Sequence, residues 1–333
     1  MNIVLFGAGS AGRYCLKYLR SKGIEPFAFA DNDPNKWNTT ISGIPVMSPY
    51  SVNAPNAEWV ATAISRPAAT EIRAQLKSMG VKTKPLYECL EVFHGLPPER
   101  AGNTLLSLVN GSDAGTINFL WDQHHFRKNP DYDLQCDPAD CKDIYFPEFI
   151  KRLDDEVFCD IGCADGDTIE AFLKRWPTYQ HIYGFEPDAS NFNKLFSKFL
   201  NEPKNITLRM CAVSDFSGEC GFQQNGDYSS HLDDAGSSGT SVTTLDEAFP
   251  LAVPTYIKAD IEGSELEMLW GARRTLKEHS PVLAICAYHT SDHLWQIPLL
   301  IHAIQPDYRL FFRRYAEGAW EIVWYAVPPE RVK

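Results

Sequence analysis

From Glu156 to Ile304 short apolar runs alternate with amphipathic helical periods, and this rhythm restricts the fold more than any other feature of the chain. EVFCDIG, HIYGFEP, ITLRMCAV, TYIKADIEG and PVLAICAYH read as strands; DTIEAFLKRW, ASNFNKLFSKFL, SELEMLWGARRTLKEH and a stretch around Leu294 to Ile304 read as helices. Strands that return to one sheet through helices lie parallel, so the pattern predicts an α/β fold with helices on both faces. YRLFFRRYAEGAWEIVWYAVP breaks the rhythm. Its two aromatic-rich runs flank Glu317-Gly318 and predict an antiparallel hairpin that closes the sheet. Between Asp215 and Asp246 the chain is rich in Gly, Ser and Asp and reads as an inserted hairpin or long loop.

The first hundred residues repeat the theme on a smaller scale. NIVLF (2–6), PFAFAD (26–31) and EWVATAI (58–64) read as strands, and PAATEIRAQLKSMG (67–80) as a helix stopped by Gly80. This unit fades near Pro97 and Pro98, and the mixed stretch that follows reads as a connector. The expected division is a Rossmann-like domain over 1–97, a partly helical connector over 98–145 and the main α/β domain over 146–333. With 333 residues, 44% of them apolar, the chain is large enough for two cores.

Composition narrows the partners. A formal net charge of −12 argues against nucleic acid and anionic membrane surfaces, which draw affinity from clustered Lys and Arg. No apolar run approaches the ~20 residues that cross a bilayer, and MNIVLFGAGSAG has no basic n-region, so a cytoplasmic protein with no membrane insertion is expected. The nine cysteines form no zinc-ribbon spacing and are expected to be reduced thiols. A small-molecule or glycan substrate fits this balance.

Ligands of open α/β sheets bind beyond the carboxyl ends of strands, which draws attention to two glycine loops. In GAGSAG, Gly7, Gly9 and Gly12 stand in G-x-G-x-x-G spacing with Asp31 about 20 residues on. This is the dinucleotide fingerprint, and it points to a nucleotide or nucleotide-linked sugar, or to glycines that serve only a tight turn. The second loop, VFCDIGCADGDTIEAF (157–172), has the same outline but carries Asp160, Asp165 and Asp167. A helix N-terminus tolerates a carboxylate, yet three acids repel phosphate. The ligand must bring cations and hydrogen-bond donors. S-adenosylmethionine (SAM) does so, with an ammonium, a sulfonium and a ribose diol. Glu186, at the end of the next strand, is positioned to accept from the ribose hydroxyls, and Ser214 and Asp215 to meet the adenine edge.

Several ordered blocks resemble the FkbM-type SAM-dependent methyltransferases: VFCDIGCADGDT, YGFEPDASNF, CAVSDFSG, TTLDE and YIKADIEGSELEMLWGARRTLKEHSPVLAICAYH. The resemblance spans roughly residues 145 to 327. It implies a class I methyltransferase fold, a mostly parallel seven-stranded sheet, and in many members methylation of a hydroxyl on a sugar, glycan or polyketide. By motif position, Asp160, Gly162, Asp165, Gly166, Glu186 and Asp215 would hold SAM. Cys163 departs from the alanine common there. FADNDPNKWNTTISGIPVMSP, after GAGSAG, is similar to the small Rossmann-like domain of some bacterial sugar-modifying enzymes.

Methyl transfer to a hydroxyl needs alignment and a route for the proton. TYIKAD ends at Asp260 with Glu262 beyond it; AICAYH ends at His289, followed by Asp292 and His293. Tyr256, Lys258 and Asp260 share one side of their strand. His289 is the expected base, oriented by Asp260 or Glu262. A divalent metal on Asp260 and His289, with Glu262 or His293, is the less favoured arrangement, and helix capping is the simpler role open to Asp260 and Glu262. His124 and His125 read as helix surface, the FFRRY arginines as strand ends, and His231 as a candidate substrate contact. The leading function is SAM-dependent O-methylation. The alternatives are an NAD-dependent oxidoreductase built on GAGSAG and a SAM-binding scaffold without activity.

Overall fold

The computed structural model describes residues 3–21, 23–54, 56–62, 66–85, 99–128, 134–200, 205–223, 231–232, 238–316 and 318–333. The chain divides into two compact units. One comprises Met1–Leu96, Phe119–Ala139 and Arg314–Trp320; the other comprises Pro97–Asn118, Asp140–Arg313 and Glu321–Lys333.

The first unit carries a six-stranded sheet. Its strands are β1 (Ile3–Phe6), β2 (Ala28–Ala30), β3 (Thr39–Ile41), β4 (Ile44–Met47), β5 (Glu58–Ala61) and β6 (Lys82–Pro85), in the order β3-β4-β2-β1-β5-β6. Only the β3–β4 pair is antiparallel. Helix α1 (Ser10–Ser21) follows β1 and α2 (Arg66–Ser78) precedes β6, as the βαβ pattern requires. Val4, Phe6, Ala30, Trp59 and Leu76 pack into a core on the sheet. Residues 63–64 of the expected third strand lie outside the described residues.

Between the two sheets in sequence run helices α3 (Glu99–Leu108) and α4 (Ala114–Lys128). His124 is exposed and His125 partly exposed on α4.

The second unit holds β7 (Val157–Ile161), β8 (His181–Phe185), β9 (Ile206–Arg209), β14 (Tyr256–Ala259), β15 (Val282–Cys286), β16 (Arg309–Arg314) and β17 (Ile322–Val327) in one sheet, ordered β16-β17-β15-β14-β7-β8-β9. From β15 to β9 every pair is parallel, and β17 runs antiparallel to β15. Every residue of β7, β8, β14, β15 and β17 is buried, which is why these strands read as near-continuous apolar runs. Helix α5 (Asp167–Arg175) turns Ile169 and Phe172 inward and places Asp167 in its first turn and Lys174 and Arg175 in its last, with the polarity the macrodipole favours. Phe158, Phe172 and Trp176 stack with centroids 4.5 and 4.9 Å apart and fix α5 on β7.

Two details differ from the sequence reading. ITLRMCAV is not one strand: the half-exposed Met210 interrupts it, and Ala212–Val213 leaves the main sheet as β10. It pairs with β13 (Ser238–Thr243) in a four-stranded sheet with β11 (Gly218–Gln223) and β12 (His231–Leu232), ordered β10-β13-β11-β12. The expected insertion is thus a small sheet, although residues 224–230 and 233–237 of it lie outside the described residues. The helix SELEMLWGARRTLKEH is also two, α7 (Glu265–Trp270) and α8 (Arg273–His279). Gly271 lies between them, where a Cβ would overlap the Ser214 carbonyl oxygen. Helix α6 (Ala189–Phe199) follows β8, and helix α9 (His293–Ile304) follows β15.

Candidate active site

The main sheet changes direction between β7 and β14: the chain fills β8 and β9 on one side, then β15 and β17 on the other. That switch opens a crevice beyond the carboxyl ends of the two strands. Gly162 follows β7 at φ +74°, and a Cβ on it would overlap the carbonyl oxygen of Asp260, which follows β14. Gly166, at φ +87°, is the N-cap of α5 and packs against Phe199 and Leu195. Both glycines answer close approach and left-handed backbone at once.

The loop acids separate into different roles. Asp160 is wholly buried, with Lys258 Nζ 2.9 Å from its Oδ1. The same ammonium donates to the Gly162 carbonyl at 2.8 Å and lies 5.3 Å from the centre of the Tyr145 ring. Burial pushes the Asp160 carboxyl up to about 6 against the pull of Lys258. Burial alone would lower the Lys258 ammonium, but Asp160 and Asp260 outweigh it and hold it above the lysine range. The pair is therefore charged at neutral pH and braces the glycine loop from behind. Asp165 is partly exposed, 3.6 Å from Lys198, and Asp167 is exposed at the start of α5.

Glu186 leaves β8 buried. Its Oε2 accepts from Ala164 N–H and its Oε1 from Asp188 N–H, each at 2.8 Å, so two backbone donors fix the carboxylate at the loop. Burial raises its pKa despite these bonds. Cys163 is buried, with its Sγ against Gly184 of β8. Ser214 is buried and Asp215 exposed; both follow β10 of the small sheet rather than a strand of the main one.

Past β14 and β15 lies a second cluster. Asp260 accepts from Tyr145 OH at 3.0 Å and from Tyr288 OH at 3.2 Å, and its Oδ1 is 3.2 Å from His289 Nε2. Glu262, in left-handed backbone at φ +55°, places Oε1 3.7 Å from the same nitrogen. The other ring nitrogen, Nδ1, meets Glu265 Oε1 at 2.7 Å. A carboxylate only accepts, so Nδ1 carries the proton. Glu265 is wholly buried at the opening of α7, also accepts from Ile261 N–H at 3.1 Å, and sets Oε2 3.0 Å from His293 Nδ1.

Burial would lower the His289 imidazole, but Glu265, Asp260 and Glu262 together hold it well above the histidine range. Burial would raise Glu265, yet His289 and His293 draw it down to about 2. Asp260 is held below the carboxylate range by His289 and Lys258, again against burial.

The sequence reading brought Asp260, Glu262 and His289 together, and the structure places them side by side. It named Asp260 or Glu262 as the orienting acid; Glu265 contacts the Nδ1 side. Lys258, Tyr145, Tyr288 and Glu265 were missed as site residues. Glu321 was missed too: just before β17, burial and then Asp260 push its carboxyl up to about 7. Arg313 does not stand free, because Asp113 and Thr116 hold its guanidinium over the Phe149 ring. The side chain of His231 lies outside the described residues.

In the other unit, Gly7 takes φ +120° and Gly12 packs on its carbonyl, while Gly9 faces open space. Asp31, the acid expected to meet a ribose, is buried and accepts from Ala8 N–H at 2.7 Å, Asp33 N–H at 2.8 Å and Lys36 at 3.1 Å. It braces its own loop.

Residues 160–315 match the model of the methyltransferase FkbM domain. The chain is similar to the crystal structure of methyltransferase FkbM from Methylobacillus flagellatus KT, with TM-score 0.72 and 21% identity over 98% of this chain and 89% of that one. At this identity the likeness is one of fold. Precorrin-6y C5,15-methyltransferase from Geobacter metallireducens GS-15 aligns with TM-score 0.34 and 16% identity, over 58% of this chain and 94% of that one. No curated protein matches the sequence.

Proposed function

We propose, from the match of residues 160–315 to the methyltransferase FkbM domain and from the site's geometry, that the protein transfers a methyl group from SAM to a hydroxyl of a sugar, glycan precursor or related natural product. One observation carries the cofactor assignment. The crevice at the sheet's switch point is lined by carboxylates; Lys258 is turned away onto Asp160 and the Gly162 carbonyl, and Lys198 is paired with Asp165 and Glu170. Such a donor set fits a ligand of hydrogen-bond donors and positive charge and opposes a phosphate. Glu186, fixed through one lone pair of each oxygen, keeps the others for a vicinal diol. Gly162, Gly166 and the acids Asp165 and Asp167 would line the amino-acid side of the cofactor, with Ser214 and Asp215 toward the adenine.

When bound, SAM supplies an electrophilic methyl carbon on a sulfonium. The chain's own residues must seat the acceptor hydroxyl in line with that carbon and give its proton a route away. Asp260, Glu262 and His289 are the groups for this: two carboxylates and a ring nitrogen face one another, partly open to solvent at Asp260 and Glu262. Tyr145 and Tyr288 fix the Asp260 carboxylate from behind. The first unit, with open space at Gly9, is proposed to hold the nucleotide of a nucleotide-linked acceptor.

Methyl-13C SAM incubated with the protein and a panel of nucleotide-sugars tests this, with the product read by NMR. Label in a methyl ether is expected. Label on nitrogen or carbon, or none while SAM binds, removes the hydroxyl acceptor. His289→Ala is expected to abolish turnover; an unchanged rate removes His289 from the chemistry.

A further inference from the structure

We propose that Asp260, Glu262 and His289 form a binding site for a divalent cation of the Mg2+ or Mn2+ class, which takes the acceptor hydroxyl as a further ligand. The inference deepens the methyltransferase reading and rests on it. Asp260, Glu265 and His289 bring ligand atoms within 4.8 Å of one another. The arrangement within that group is directional. Glu265, wholly buried, bonds His289 Nδ1 at 2.7 Å and so commits the ring's proton to that side. Carboxylate, imidazole and an opposite nitrogen turned toward further acids is the arrangement by which proteins aim histidine at a metal, with the first carboxylate behind rather than on the ion, and a cation at Nε2 would displace the proton that the acids favour there.

The aimed nitrogen is Nε2. Its side chain is 6% exposed, and among the described residues no group meets Nε2 in hydrogen-bond geometry. Two carboxylate oxygens nonetheless lie close to it, Asp260 Oδ1 at 3.2 Å and Glu262 Oε1 at 3.7 Å. Neighbouring ligands of an octahedral ion with metal–oxygen distances near 2.1 Å are about 3.0 Å apart. The Asp260 pair is close to the spacing of adjacent ligands and the Glu262 pair is wider, so Glu262 would have to move inward to bind, and an oxygen-rich set with one imidazole suits a hard cation.

The front of the site is open where the back is closed. The side chains of Asp260 and Glu262 are 24% and 28% exposed, whereas Glu265 is sealed. Open positions would therefore face the crevice, where the acceptor hydroxyl enters. A hydroxyl bound to the cation would release its proton to solvent water, and its oxygen would keep the electron pair that forms the new bond to the methyl carbon as that carbon's bond to sulfur breaks, the pair of the broken bond staying on the sulfur of the departing thioether.

The test uses the full chain, freed of metal with EDTA and titrated with Mn2+ under electron paramagnetic resonance. The wild type is expected to immobilise Mn2+, with Mg2+ competing. Asp260→Asn, Glu262→Gln and Glu265→Gln are each expected to weaken binding by about tenfold or more. Glu262→Gln alters a partly exposed side chain, and its melting temperature verifies folding. No bound Mn2+ in the wild type at millimolar concentration overturns the proposal, as does unchanged binding in folded Glu262→Gln and Asp260→Asn. SAM calorimetry on the same samples separates the readings: a wild type that binds SAM but immobilises no Mn2+ removes the cation and leaves the methyltransferase standing, whereas one that binds neither removes both.

Discussion

Lys258→Met isolates the part of the account that sequence reading missed. Lys258 and Asp160 are both buried, 2.9 Å apart, at the centre of the sheet. Methionine keeps most of the side chain's length and removes the charge. Asp160 is then a buried carboxylate without its cation, and breaking a buried pair from one side costs about 3–5 kcal/mol. For a domain of this size each kcal/mol moves the melting temperature by roughly 2–4 °C, so calorimetry should record a fall of roughly 6–20 °C. Lys258→Met/Asp160→Asn removes the stranded charge and should recover more than half of that loss, a coupling that a double-mutant cycle reads directly. Because Lys258 also holds the Gly162 carbonyl, SAM affinity should fall by about tenfold in the single variant, equivalent to about 1.4 kcal/mol. A melting temperature within a degree of wild type, or a double variant no more stable than the single, would refute the reasoning.

Two further outcomes follow from the geometry. Gly162→Ala places a Cβ on the Asp260 carbonyl in left-handed backbone, and thermal unfolding should show a loss of about 1–3 kcal/mol or more; a loss below half a kcal/mol would mean the two strand ends are not in contact. Glu321 is pushed up to about 7, above its unfolded value of about 4.3, so its protonated form stabilises the fold below pH ~4 and that contribution is lost as pH rises through 7. Between pH 5 and 8 the wild type should therefore lose stability relative to Glu321→Gln, by up to about 3 kcal/mol, and parallel melting-temperature profiles in EDTA would contradict the assignment.

What the sequence made legible follows from periodicity. Five all-buried strands leave apolar runs, and helices between them leave a 3.6-residue period, so the parallel sheet and the residues at its strand ends could be read directly. Glu186, Asp260 and His289 were found because strand ends are where ligands bind. Glu265 was hidden for the opposite reason: an acid in the first turn of a helix looks like a partner for the macrodipole, and only the fold reveals that it is sealed against two imidazoles. Lys258 sat in plain view on the same strand side as Asp260, but its pairing with Asp160 depends on β7 lying beside β14, a neighbour relation that crosses about 100 residues. The break of ITLRMCAV into two sheets had no local signal beyond Met210, since both halves favour strand. Asp31 illustrates a motif whose acid is engaged by its own loop.

Calorimetric titration of SAM into the wild type and into Glu186→Gln tests the central claim most directly. Glutamine keeps the shape of Glu186 and can still accept one backbone N–H, but it presents an amide donor where the diol requires an acceptor. The account predicts micromolar binding by the wild type and a loss of about tenfold or more in the variant, with the fold intact by circular dichroism. Equal affinity in the two proteins, or no binding in either, would contradict the placement of the cofactor at the β7–β8 strand ends.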